Sequence, residues 1–250
     1  MTTLRVEDLS KHFGGVKVLS GLTFTVESGQ KVALIGPNGA GKTTLINVIG
    51  GQTPASGGNV YLGDREITHM APNKRLHLGL GRSYQVNNLF FDLSILDNVL
   101  LALYGGAEKS HFHVMQKLEK RQDFLAGAET LLKTVGLWER RFTILHTLSY
   151  GEQRLLELLC AFTSKPKLVL LDEPSAGLPT AEAFAFADTI RKLAGETTVL
   201  FCAHDMDLVF SLADSILVLY FGQIIAQGLP QEISANPKVQ EIYLGGEESC

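Results

Sequence analysis

The first third of the chain alternates apolar and polar positions with the period of two that a half-buried strand requires. Leu4–Leu9 and Leu22–Val26 read in this way, and Lys31–Ile35 is a short apolar run ending at Gly36. A helix is expected from Lys42, and Gly57-Gly58 is expected to turn the chain into another strand over Asn59–Leu62. From about Leu93 to Phe162 the apolar positions recur at helical spacing instead. Ser94 stands where it can cap a helix from Ile95, and Asp123–Val135 carries a helix-period apolar set. Beyond Leu168 the pattern changes again. Apolar runs at Leu168–Leu171, Thr198–Phe201 and Ser215–Tyr220 are separated by helical stretches, as expected of a parallel sheet with crossover helices. The pattern predicts an α/β core over roughly 1–85 and 163–250, with a helical subdomain inserted over 86–162.

Composition adds exclusions. With 250 residues, 45% of them hydrophobic, the chain can bury a substantial core. Its formal net charge of −4 gives no concentrated cationic surface, so nucleic acid is not an expected partner. No run approaches the ~20 apolar residues of a membrane span, and the N-terminal MTTLRVEDLS has no apolar signal core. The three cysteines, Cys160, Cys202 and Cys250, lack metal-ligand spacing. Cys160 and Cys202 read as core residues and Cys250 as a free thiol.

The chemistry concentrates at Gly36-Pro37-Asn38-Gly39-Ala40-Gly41-Lys42-Thr43-Thr44. This is the G-x4-G-K-[ST] phosphate loop, set between an expected strand and an expected helix as the motif requires. Glycines let backbone N–H groups turn toward phosphate oxygens, and the helix N-terminus adds partial positive charge. Lys42 is suited to the β- and γ-phosphates of ATP, and the Thr43 hydroxyl to Mg²⁺. The apolar run Leu168–Leu171 ends in Asp172-Glu173. A strand ending in Asp places a carboxylate at the sheet edge where ligands bind. Asp172 can then serve Mg²⁺, and Glu173 can orient or deprotonate an attacking water.

Between these motifs stands Leu148-Ser149-Tyr150-Gly151-Glu152-Gln153. With it the chain resembles the ATP-binding subunits of ABC transporters, whose signature reads LSGGQ. The resemblance runs over essentially the whole chain. It implies a P-loop NTPase core, a mixed sheet with flanking helices and an N-terminal antiparallel β region, carrying an inserted helical subdomain. It implies adenine stacking on Phe13, phosphate contacts from Ser149 and Gly151, and contact of Gln85 with Mg²⁺ and the attacking water. Ser175-Ala176-Gly177-Leu178 matches the loop that crosses to the partner subunit, and His204 the switch histidine near the γ-phosphate. Tyr150 replaces a signature glycine, Glu152 the glutamine, and Pro179 an aspartate found in many members.

HFGGVKVL, GRSYQVNNLF, LSYGEQRLLEL and EIYLG resemble the branched-chain amino-acid uptake branch, which extends to related amides. A lipopolysaccharide-export ATPase is similar in the terminal YLG. The resemblance implies a head-to-tail ATPase dimer, formed with itself or a sister chain, at the cytoplasmic face of the inner membrane. It would bind membrane-spanning permease subunits and act indirectly with a solute-binding protein. Leu89, Phe90 and Phe91 could line a groove for a permease helix or simply fill the subdomain core. A soluble ABC ATPase is disfavoured, because neither a long coiled-coil insertion nor a second ATPase domain is evident.

Overall fold

The computed structural model describes residues 1–83, 89–106 and 117–244. Ten strands and nine α-helices are found among them. The N-terminal region is a four-stranded antiparallel sheet in the order β2-β1-β4-β5. It comprises β1 (Thr2–Phe13), β2 (Val16–Glu27), β4 (Gly57–Leu62) and β5 (Arg65–Glu66). Both leading strands run well beyond the segments that alternation marks. The β1–β2 ladder continues through several register shifts, which break the period of two that the sequence pattern relies on. Gly57-Gly58 is not a turn. Both residues lie in β4, and Gly58, at φ 78°, sits where a Cβ would be 2.3 Å from the Asp8 carbonyl oxygen. The glycine thus permits a bulge, matching the register shift between Glu7 and Ser10.

The second sheet has six strands in the order β10-β9-β3-β8-β7-β6. They are β3 (Lys31–Ile35), β6 (Leu80–Arg82), β7 (Leu168–Asp172), β8 (Thr198–Cys202), β9 (Ser215–Tyr220) and β10 (Gln223–Gly228). Only β10 is antiparallel to its neighbour. Strand side chains alternate between two cores. Val32, Leu34, Leu170, Leu200 and Leu217 face the antiparallel sheet and α1 (Lys42–Gly50). Ala33, Ile35, Leu171, Phe201 and Val218 face α5 (Tyr150–Phe162), α6 (Thr180–Ala194) and α7 (Met206–Leu212). Covering both faces explains why these strands read as unbroken apolar runs.

A third core joins α3 (Ile95–Gly106), α4 (Lys117–Thr134) and α5. Ser94 caps α3, its hydroxyl accepting the Asp97 N–H at 3.1 Å. Helix α5 serves two cores at once. Leu156 and Leu159 pack in the helical cluster, and Leu158, Ala161 and Phe162 against the sheet. Helix α2 (Pro72–His77) precedes β6, and α8 (Pro230–Ser234) and α9 (Pro237–Leu244) follow β10. No helix among the described residues is long and apolar enough to cross a membrane.

Candidate nucleotide site

Register brings three loops to one sheet edge. Leu34 pairs with Cys202 and Cys202 with Asp172, so β3, β8 and β7 end abreast. The residues that follow are Gly36 of the phosphate loop, His204 and Glu173. This is the carboxyl edge where parallel sheets bind ligands.

The phosphate loop, Gly36–Thr44, is held open by contacts only glycine allows. Gly36 lies at φ 155°, with a Cβ position 2.1 Å from the Leu219 carbonyl oxygen. Any side chain there would drive the loop off β9. Pro37, Asn38, Gly39 and Ala40 form the rim, and Ala40 O accepts the Gly222 N–H at 3.0 Å. Gly41 adopts a left-handed conformation and ends the loop at the α1 N-terminus. Lys42 is buried, and its ammonium donates to Gly36 O at 2.6 Å and Pro37 O at 3.1 Å. Those carbonyls keep the ammonium folded across the loop.

The Thr43 hydroxyl donates to Asp172 Oδ1 at 3.3 Å. Asp172 is buried, and its Oδ2 has no hydrogen-bond partner. Burial pushes this carboxyl up, and the Glu173 charge adds to that, against the pull of Arg82, the Thr43 hydroxyl and Lys42. A hydroxyl and a buried, half-satisfied carboxylate form a hard oxygen donor set. That set fits Mg²⁺, which takes few protein ligands and completes its shell with water and substrate phosphate.

Glu173 adopts φ 49°, a left-handed conformation rare outside glycine. Such strain costs on the order of 1–3 kcal/mol and clusters at functional sites. It turns the carboxylate to His204, whose Nδ1 lies 3.3 Å from Glu173 Oε1. The Glu173 N–H donates to Cys202 O at 3.1 Å, pinning the strained residue to β8.

Ser149 caps α5. Its hydroxyl accepts the Glu152 N–H at 3.3 Å, and its own N–H donates to Glu152 Oε2 at 3.0 Å. The same hydroxyl also lies within hydrogen-bonding reach of the Glu152 carboxylate, which closes the cap on both sides. Ser149 and Gly151 are not folded onto their own chain's phosphate loop; the hydrogen bonds of Ser149 stay within the first turn of α5. Tyr150 fills the place of the missing glycine by reaching the 175–178 loop. Its hydroxyl donates to Ala176 O at 3.0 Å and accepts from Arg154 Nε at 2.8 Å. Phe13 lies exposed at the end of β1, with the Lys11 ammonium 4.7 Å from its ring centre. Gln85 lies outside the described residues.

A cavity of about 530 Å³ opens where β6 meets α2, α3 and α5, lined by Leu76, Leu89, Phe90 and Leu101 among others. Phe90 is exposed there, whereas Phe91 packs against the helical core. Two arginines to which sequence reasoning gave no role brace the site. Arg75 is 1% exposed and donates to Val48 O, Ile49 O, Thr68 O and Met70 O. Arg82 donates to Ile46 O and Asn47 Oδ1. Both therefore hold the C-terminal end of α1. Arg75 stands outside any motif and reads as solvated surface in the sequence, whereas Arg82 lies within GRSYQVNNLF, the one signal that could have pointed to it. Cys160 and Cys202 are free thiols; burial pushes Cys160 up to about 12 and Cys202 well above its ordinary value, which leaves both inert.

Sequence comparison accords with this geometry. The ABC transporter family profile matches residues 19–176, and the profile described as branched-chain amino acid ATP-binding cassette transporter matches 223–249. The high-affinity branched-chain amino acid transport ATP-binding protein BraF of Pseudomonas aeruginosa is 35% identical over 97% of both chains. The corresponding LivG protein of Escherichia coli is 33% identical, again over 97% of both. A nucleotide-free ATP-binding cassette from an ABC transporter superposes with a TM-score of 0.85 at 32% identity, covering 97% of this chain and 99% of that one. Matched by that family's profile over more than half its length and by ATP-binding relatives over nearly all of it, the chain belongs to the ABC transporter family as an ATPase subunit.

Proposed function

We propose that this chain is the motor subunit of an importer for branched-chain or other hydrophobic amino acids, peripheral to the cytoplasmic face of the membrane. The observation that carries the ATPase half is the set Lys42, Thr43, Asp172, Glu173 and His204 at one sheet edge. The match over 223–249 and the names of the relatives support the substrate class.

In this reading Phe13 stacks on adenine, and backbone N–H groups of Gly36–Thr44 wrap the phosphates. Lys42 moves from the Gly36 and Pro37 carbonyls to the β- and γ-phosphates. Thr43, Asp172 and Gln85 would hold Mg²⁺, which when bound neutralises charge on the phosphate oxygens. Glu173 orients and deprotonates the attacking water, and His204 holds Glu173 and the γ-phosphate in register. Ser149 and Gly151 donate to the ATP on a partner ATPase, so each nucleotide bridges two subunits. Hydrolysis removes those bridging contacts and the dimer opens.

That motion is passed to the membrane by permease subunits. The cavity beside Phe90, with Leu76, Leu89 and Leu101 in its lining, is where a short permease helix would dock. A solute-binding protein delivers cargo to the permease. The test is to tag Glu173→Gln, add ATP and purify it from solubilised native membranes. Recovery of multi-spanning subunits with a second ATPase, together with leucine-stimulated hydrolysis by the wild-type complex, supports the reading. Lipid-export partners would overturn the import assignment, and absence of any membrane protein would overturn transport.

A further inference from the structure

The turn carrying Ser149 and Gly151 is crowded with negative charge. Glu152 accepts the Ser149 N–H at 3.0 Å. Glu182 of α6 borders the same turn, its Oε2 2.7 Å from where a Cβ on Gly151 would sit. Two carboxylates therefore flank the groups assigned above to a phosphate. ATP brings several negative charges of its own, and like charges at close range weaken binding.

Two cations stand near. Arg154 is already committed, with Nη1 on Glu157 Oε2 at 2.7 Å and Nε on the Tyr150 hydroxyl at 2.8 Å. Arg140, in the short 3₁₀ turn Trp138–Arg140, forms an ion pair with Glu152 Oε1. The Glu152 carboxyl lies below its ordinary value: burial raises it, but the Ser149 N–H, Arg140 and the Ser149 hydroxyl together outweigh that. The side chains are 48% and 26% exposed, respectively. A pair so exposed adds at most ~1 kcal/mol to folding, so fold stability gives little reason for it. Glutamine, the family residue at this position, could make the same cap through its amide oxygen without a charge.

We propose that Arg140 neutralises Glu152 so that the Ser149–Gly151 turn can receive a phosphate. Arg140 is then a positioning residue for ATP, needed only because Glu152 is present. This rests on the assignment of Ser149 and Gly151 to a partner-bound ATP.

The test measures KM and kcat for ATP in the transporter complex purified on a tag on this chain. Arg140→Ala should raise KM roughly tenfold, the equivalent of ~1.4 kcal/mol, with little change in kcat. The rise should shrink at high salt, as charges are screened. Arg140→Lys, which keeps the charge, should stay near wild type, and so should Glu152→Gln. Arg140→Ala combined with Glu152→Gln should return KM to within about twofold of wild type. A purely structural ion pair predicts the opposite: both single variants damaged alike, and no rescue. A wild-type KM in Arg140→Ala, or a double variant as weak as Arg140→Ala, overturns the proposal. Ser149→Ala separates the two layers of the argument. If it impairs turnover while Arg140→Ala does not, only the charge argument fails. If it is silent, the assignment of Ser149 to ATP fails and the charge argument goes with it.

Discussion

Replacing Arg75 by methionine should loosen the phosphate-loop helix from its far end. The guanidinium donates to Val48 O at 2.8 Å, Ile49 O at 2.6 Å, Thr68 O at 2.9 Å and Met70 O at 2.8 Å. Burial lowers its pKa to about 10, so it remains charged at neutral pH. Methionine fills most of the volume but donates nothing. Val48 O keeps the Gly51 N–H at 3.1 Å, while the other three carbonyls lose this donor. At ~1–3 kcal/mol for each buried group left unsatisfied, reduced where water enters, the loss should be about 3–5 kcal/mol. For a domain of this size that corresponds to a melting temperature lower by roughly 6–20 °C. Urea unfolding of the nucleotide-free chain measures it directly. Turnover at low temperature should survive, because the loop itself is anchored separately at Gly36 and Ala40. A loss below about 1 kcal/mol would refute the reasoning. So would unchanged stability with lost turnover, which would mean that Arg75 acts on the chemistry.

Asp172→Asn should abolish hydrolysis yet raise the melting temperature of the nucleotide-free chain by a few degrees, because it removes a buried charge. The sign follows from the raised carboxyl of Asp172: its contribution to stability is full below the ordinary aspartate range and lost as pH rises through the raised value. The variant should not show that loss, and a lower melting temperature at pH 7 would contradict the argument. Glu173→Gln should bind ATP but hydrolyse it about 10²-fold or more slowly, leaving a nucleotide-trapped dimer visible by size-exclusion chromatography; wild-type turnover would remove Glu173 as the base. Phe90→Ser should reduce amino-acid uptake in proteoliposomes while the isolated chain keeps its ATPase rate. Unchanged uptake would show that the cavity does not transmit the stroke.

Much of the site is legible in order along the chain. Gly36–Thr44, Asp172-Glu173 and His204 are each local events, a glycine-rich turn or a residue at the end of an apolar strand, and local chemistry is what spacing encodes. The third core, too, could be anticipated from helical periodicity over 93–162. The bulges of β1 and β4 could not, because an extra residue breaks the alternation that marks a strand. Strand β6 could not either: Leu80–Arg82 is too short to carry a period and becomes a strand only by pairing with β7. Arg75 and Arg140 are lone charges in sequence, and their meaning depends on what the fold sets beside them. Tyr150 is readable as a departure from LSGGQ, but its hydrogen bond to Ala176 spans 26 residues and follows from the packing of α5 against the 175–178 loop. The sequence by itself therefore marked the phosphate loop, the strand-end carboxylates and His204, together with their order along the chain. Tertiary structure alone decided which charges are neutralised and which helix ends are held, since both are set by distances between segments that pattern and spacing do not carry.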